Sequence, residues 1–255
     1  MKRQINNVGE RNILDFHSHV LPAIDDGSRD LETSLAMLEA LAAQGVKRVV
    51  ATPHFDASLC SPEEFLEKRN RAERKLREAM EKRGGTAFPK LCMGAEVAYF
   101  SGISKSEATM SLCVEKTNLL LLEMPFFAWS ESIVSDVLRI RDDMGITPVL
   151  AHIERYFSFQ KKGAIESLLY EGIPFQVNAE AFISLRTRRR ALRMLSEGDI
   201  AFWGSDCHGM VTRSPNFDKA FAVIKRKGLE GEMLDLIDRG NEIFDDIEEK
   251  ENSNE

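Results

Sequence analysis

Short apolar runs alternate with helix-like segments along almost the whole chain, and that alternation leaves few folds open. The strand-like runs cover Ile13–His17, Arg48–Thr52, Lys90–Glu96, Asn118–Glu123, Thr147–His152, Pro174–Asn178 and Ile200–Ser205. Each is a short, mainly apolar stretch, as parallel strands buried on both faces tend to be. The segments between them carry helix punctuation. Asp30 is placed to cap a helix bearing Leu31, Leu35, Leu38 and Leu41, which Gly45 ends. Ser61-Pro-Glu-Glu64 reads as a capping box with proline at the first helical position, and Gly84-Gly85 closes that helix. Ser130 opens a third, with Ile133, Val137 and Ile140 on one face and Gly145 beyond it. Further helices are expected over Ala164–Glu171, Arg188–Glu197, Phe217–Lys225 and Met233–Ile247. Repeated βα units imply an α/β protein with a parallel sheet and right-handed crossovers. Seven of them suit a closed or nearly closed barrel. A doubly wound open sheet is the alternative, and the lack of a Gly-rich nucleotide loop weighs against it.

Nothing in the 255 residues marks a domain boundary, and α/β barrels of about this size are ordinary. A single domain is expected over 13–247, between an N-terminal extension (1–12) and an acidic tail (248–255) expected to be disordered. No run approaches a membrane span, and Met1–Asn12 is polar, without an apolar signal core, so a cytoplasmic protein is expected. The net charge of −7 argues against a nucleic-acid partner. It also means that an anionic substrate needs locally supplied positive charge, which bound cations provide. Cys60, Cys92, Cys113 and Cys207 form no Cys-x-x-Cys pair and read as reduced thiols.

The functional signal lies at the ends of the strand runs. His17 and His19 close the first, His54 follows the second, and His152 closes the fifth. Asp206 and His208 follow the last, Glu96 ends the third and Glu123 the fourth. One such histidine alone reads most simply as a hydrogen-bonded rim residue. His17-x-His19 is stronger, because a period of two sends both rings to one side. In parallel α/β folds the carboxyl ends of the strands are where active sites form. Imidazole with carboxylate suits zinc, iron, manganese or a mixture, and these donors with Asp26 are too many for one ion.

Five blocks carry a resemblance. They are His17-Ser-His-Val-Leu-Pro-Ala-Ile-Asp-Asp-Gly27, Ala51-Thr-Pro-His54, Gly94-Ala-Glu96, Ala151-His-Ile-Glu-Arg-Tyr156 and Gly204-Ser-Asp-Cys-His208. Together they resemble the polymerase and histidinol phosphatase (PHP) superfamily, and within it the bacterial tyrosine-protein phosphatase branch associated with capsule and exopolysaccharide synthesis. The resemblance implies a distorted, TIM-like (β/α)7 barrel holding two to three divalent ions, manganese by family habit, with iron, zinc or magnesium as alternatives. By motif, His17, His19, Glu96 and Asp206 would hold one ion. Glu96 would bridge to a second, held also by Glu123 and His152, and Asp26, His54 and His208 would hold a third. Arg155 and Arg213 match phosphate-contacting arginines. One departure is visible: Ile153 stands where the family usually has proline.

The expected activity is metal-assisted phosphomonoester hydrolysis on a phosphotyrosine protein, a bacterial tyrosine kinase of polysaccharide export being the implied partner. A small-molecule phosphatase such as histidinol phosphatase and a non-catalytic metal-stabilised binding module are the alternatives. Cys207 and Arg213 also have the Cys-x5-Arg spacing of cysteine-dependent phosphatases, though the loop glycine is misplaced and His208 belongs to the metal set. Asp25 reads either as a turn residue or as a general acid. Asn178 is expected to hydrogen-bond within the site without being a ligand. Arg186, Arg188, Arg189, Arg190 and Arg193 read as a solvated helix face more readily than as a docking patch. Tyr156, Phe157 and Phe159, and Phe126, Phe127 and Trp129, pack a loop or wall a substrate ring.

Overall fold

A computed structural model of the chain describes residues 12–84 and 87–252. The strands are β1 (Ile13–Ser18), β2 (Val46–Ala51), β3 (His54–Phe55), β4 (Lys90–Met93), β5 (Glu96–Ala98), β6 (Leu119–Glu123), β7 (Thr147–Leu150), β8 (Gln176–Asn178) and β9 (Phe202–Gly204). The helices are α1 (Leu31–Ala43), α2 (Pro62–Arg83), α3 (Glu131–Met144), α4 (Ala164–Tyr170), α5 (Ala179–Ile183), α6 (Arg188–Glu197), α7 (Phe217–Arg226) and α8 (Glu230–Asn252).

The strand pairings run β1-β2-β4, β3-β5-β6-β7 and β8-β9, all parallel. Single bridges join Leu150 to Phe175 and Ser18 to Cys207. With these the strands follow chain order around a ring and close it, β9 returning beside β1. This is the distorted seven-unit barrel. The distortion comes from two breaks. Pro53, with no N–H, separates β2 from its continuation β3. Gly94 and Ala95 separate β4 from β5, and a Cβ at Gly94 would press on Thr52, Val114 and Val50 at 3.3 Å. At the seam, Asp206 N donates to His17 O at 2.7 Å and His19 N to Cys207 O at 3.0 Å. A Cβ at Gly204 would sit 2.6 Å from His17 Cβ, so only glycine lets the last strand close on the first.

The anticipated caps form. Asp30 Oδ1 accepts from Thr33 N at 2.8 Å. Ser61 and Glu64 make the reciprocal box, at 3.2 and 3.1 Å, and Gly145 ends α3 at φ 66°. Leu14, Phe16, Val50, Leu121, Val149 and Phe202 fill the barrel interior with Phe244 of α8. The Phe16 and Phe202 rings stack at 3.9 Å. A larger apolar layer lies between the barrel and its helices. Two features differ from the sequence reading. α5 begins immediately after β8, where no helix was expected, and α8 continues to Asn252, through the first residues of the expected disordered tail. Residues 253–255 and most of the expected N-terminal extension lie outside the described residues. Among the described residues no helix is long and apolar enough to cross a membrane, and the four cysteines are free.

Candidate metal centre

Every histidine and carboxylate singled out at a strand end reaches one rim of the barrel. His17 lies in β1 and His54 in β3, Glu96 opens β5, and Glu123 ends β6. His152 follows β7, and Asp206 and His208 follow β9. His152, Asp206 and Arg213 adopt left-handed backbone, φ 33°, 48° and 49°, which costs about 1–3 kcal/mol at each non-glycine residue. Three such residues at one rim mark a place where side-chain aim outweighs backbone comfort.

Glu96 is the hub. It is 1% exposed. Its Oε2 lies 3.1 Å from His17 Nε2, 3.2 Å from His19 Nε2 and 3.0 Å from His54 Nδ1. None of these rings is aligned to hydrogen-bond it, so the oxygen is buried without a hydrogen-bond partner. A carboxylate oxygen costs several kcal/mol in that state, roughly, unless a cation meets it. Glu96 Oε1 lies 2.8 Å from His152 Nε2, whose distance to Glu123 Oε1 is 3.5 Å. Asp206 Oδ1 lies 3.6 and 3.5 Å from His17 Nε2 and His19 Nε2. Asp26 Oδ1 is 3.3 Å from both His54 Nε2 and His208 Nε2.

Donor atoms close enough to share an ion fall into three overlapping sets among the described residues. One is His19, Asp26, His54 and His208, one is His17, His19 and Glu96, and one is His54, Glu96 and Glu123. Two overlap groupings implied by the motifs, the first with His19 added and the second without Asp206. In the third, His54 joins the two glutamates where His152 was expected, with the His152 ring at its edge. The residues fit divalent cations: ring nitrogens and carboxylate oxygens converge around Glu96 Oε2, a buried oxygen that no hydrogen bond satisfies.

Of the residues that aim these ligands, sequence reasoning anticipated Asn178 as a hydrogen-bonding partner and missed the orienting roles of Asp25, Gln176 and Asp15. His19 Nδ1 donates to Asp25 Oδ2 at 2.7 Å, which leaves Nε2 free toward the cluster. Asp25 also accepts from His54 N at 3.1 Å and from Gly27 N at 2.9 Å. It is therefore an orienting carboxylate rather than a bare turn residue. On the opposite side, Gln176 Oε1 accepts from His152 N at 2.7 Å and faces His17 Nδ1 at 3.2 Å. Because a backbone N–H can only donate, the oxygen is fixed there, and His17 carries its proton on Nδ1. Gln176 Nε2 then donates to Asn178 Oδ1 at 3.0 Å, and Asn178 Nδ2 to Asp206 Oδ2 at 2.8 Å. A strand with no ligand of its own thus aligns ligands from three others. A polar glutamine interrupting the apolar run Pro174–Asn178 was the available signal. Beneath, Asp15 accepts from Ser205 N at 2.7 Å and Ser205 Oγ at 2.6 Å, steadying the turn into Asp206.

Burial alone would raise the pKa of Glu96, but His17, His152 and His19 hold it well below the carboxylate range. Burial works against a charged His19, yet Asp25 and Glu96 push it up to about 9. For Asp206 burial is again overridden, by His17, Arg155, His19 and Arg213, and its carboxyl stays ionised. His208 moves the other way, to about 4, through burial and the positive charge of His19 and Arg213. Without cations, protons and guanidinium groups supply the countercharge this anionic cluster requires.

Both expected arginines arrive. Arg155 Nη2 pairs with Asp206 Oδ2, and Arg213 Nη2 with Asp206 Oδ1. Arg213 Nη1 also lies 2.8 Å from His208 Nε2. With isoleucine at 153, residues 153–155 form a 3-10 turn directly after His152, and Arg155 reaches Asp206. The cysteine alternative fails. Cys207 is 0% exposed, and burial, then the nearby Asp15 charge, push its thiol far above the usual range. The basic cluster has local partners: Arg188 donates to Ile183 O, Arg190 lies 4.0 Å over the Phe157 ring, and Arg193 pairs with Glu197 at 3.6 Å. Tyr156 is wholly buried, whereas Phe126, Phe127 and Phe159 remain exposed.

Known proteins share the sequence pattern and the fold of this chain. The family described as capsular polysaccharide synthesis, CpsB/CapC, matches residues 13–243. Tyrosine-protein phosphatase CpsB of Streptococcus agalactiae is 28% identical over 233 residues, covering 84% of this chain and 90% of its own. Tyrosine-protein phosphatase YwqE of Bacillus subtilis is 26% identical over 226 residues, covering 84% and 85%. A solved structure from a set on YwqE of Bacillus subtilis and CpsB of Streptococcus pneumoniae, described as unique metal-dependent tyrosine phosphatases, shares the fold. Its TM-score is 0.71 at 22% identity, over 89% of this chain and 95% of its own.

Proposed function

Because the chain belongs to the CpsB/CapC family of capsular polysaccharide synthesis, we propose that it is a metal-dependent protein-tyrosine phosphatase. The observation that carries this reading is Glu96 Oε2, buried without a hydrogen bond and ringed by three imidazole nitrogens at 3.0–3.2 Å. His17, His19, Asp26, His54, Glu96, Glu123, His152, Asp206 and His208 hold two to three divalent cations, manganese or, from the same donors, iron, zinc or magnesium. When bound, the cations supply charge that acidifies water and polarises the phosphoryl group. Arg155 and Arg213 offer planar forks to the non-bridging phosphoryl oxygens, where transition-state charge accumulates. A tyrosine leaving group, with a pKa near about 10, needs less protonation than an alkoxide. Cys207 is sealed inside and does not serve as nucleophile, and Asp25 is committed to His19 and His54; attack falls to water, and no phosphoenzyme is expected to accumulate. The substrate is a phosphotyrosine protein, a tyrosine kinase of polysaccharide export, met in the cytoplasm.

The test pairs metal analysis with hydrolysis of phosphotyrosine peptides and histidinol phosphate, before and after chelation and for His17→Ala. About two to three ions per chain are expected, with preference for the peptide and activity lost in both perturbed samples. Turnover surviving complete demetallation refutes the mechanism. A higher kcat/KM on histidinol phosphate refutes the substrate.

A further inference from the structure

The two flanks of the metal centre differ in chemistry. One is a recess of about 470 Å³ whose lining, Ile183 apart, is polar or charged residues, Arg155, Asn178, Asp206, Arg213 and Lys219 among them. The other, beyond Glu123 and His152, is aromatic. Phe126 and Phe159 are 45% and 42% exposed. The Phe126 ring lies within 20° of parallel to the His152 imidazole, centroids 6.0 Å apart. Phe159 meets Phe126 edge-on at 6.0 Å and 73°. The support beneath is rigid. Tyr156 packs 5.1 Å from Phe126, and its hydroxyl oxygen accepts from Met124 N at 3.0 Å. Trp129 packs 5.3 Å from Tyr156 and donates its Nε1–H to Pro125 O at 3.0 Å. The backbone on both sides of Pro125 is thus pinned, and Phe126 is held in water next to a ligand imidazole.

An apolar ring fixed in that position has no packing role on its outer face. Arg155 lines the polar recess and the next residue, Tyr156, packs on Phe126, so the arginine stands between the two flanks. Deepening the phosphatase reading above, on which it rests, we infer that Phe126, braced by Phe159, is the specificity-determining wall that stacks on the aryl ring of the substrate. The site thereby selects aryl over alkyl phosphomonoesters. Stacking of this kind is made equally in the ground and transition states, so its loss appears in KM.

The test measures kcat/KM on a phosphotyrosine peptide and on the phosphoserine peptide of the same sequence, with the metal-loaded full chain. For Phe126→Ala the aryl-to-alkyl ratio is expected to fall about 10-fold, carried by KM on the phosphotyrosine peptide. Phe126→Tyr keeps a ring and is expected to restore the ratio, and Phe159→Ala to give a smaller fall. An unchanged ratio, or an equal fall on both peptides, overturns the wall while leaving the phosphatase reading intact. So does a wild type that prefers the phosphoserine peptide. A wild type that hydrolyses neither peptide overturns that reading, and the wall with it.

Discussion

Gln176→Leu removes one amide and no proposed ligand, and its effect follows from three contacts. Gln176 is 0% exposed. It accepts from His152 N at 2.7 Å, faces His17 Nδ1 at 3.2 Å and donates to Asn178 Oδ1 at 3.0 Å. Leucine fits the strand but offers none of these groups a partner. A buried polar group left unpaired costs about 1–3 kcal/mol, so three set a lower bound near about 3 kcal/mol. For a chain of this size each kcal/mol moves Tm by about 2–4 °C, giving a fall of roughly 6–12 °C in the metal-free protein. Loss of the partner that fixes His17 is expected to weaken metal binding about 10- to 100-fold. Thermal unfolding without metal, together with calorimetric manganese titration, reads both effects. A variant whose Tm stays within about 2 °C and whose Kd for manganese is unaltered refutes the claim that this strand aligns the ligands.

Arg213→Lys keeps the charge but loses the fork, and kcat/KM on a phosphotyrosine peptide is expected to fall about 100-fold; a fall of less than about 3-fold removes Arg213 from phosphate binding. Thiol alkylation of the native protein is expected to spare Cys207 and leave activity intact, as peptide mass mapping and assay check together; modified Cys207 with lost turnover returns the cysteine mechanism. Asp136 accepts from Ser104 Oγ at 2.8 Å, Tyr99 Oη at 2.9 Å and Gly102 N at 3.2 Å. Burial alone would raise its pKa, but these donors and Arg139 hold it below the usual value. Its stabilisation is therefore fully present above the unfolded-state pKa and lost as pH falls through the lower folded one. Asp136→Asn is expected to be less stable than wild type at neutral pH and to converge with it in acid. Urea titrations across that range test this, and a constant gap refutes it.

The gathering of the strand-end histidines and carboxylates was legible because each sits where an apolar run stops, and in a parallel barrel those stops share a rim. The helix ends were legible for a local reason: Asp30, Ser61 and Ser130 satisfy backbone donors within three residues of themselves. What escaped depends on distant partners. Nothing near Gly94 in sequence says that Thr52, Val50 and Val114 crowd it and split the third run in two. Asp25 and Asp26 are adjacent and chemically alike. Only the fold turns one to the back of His19 and the other toward His54 and His208. Gln176 matters because strands on either side of it bring His17 and His152 within reach. The continuation of α8 to Asn252 ran against a compositional expectation of disorder in an acidic segment.

The seam between β9 and β1 gives the protein a built-in order of events during synthesis. Its first imidazoles emerge early, but Asp206 and His208 emerge only after four-fifths of the polypeptide has been made. A nascent or truncated chain that stops short of Gly204 has Glu96 to set against His17 and His19 but lacks Asp206, the second carboxylate that faces both rings. Catalytic competence therefore arrives in one step, when the ring shuts.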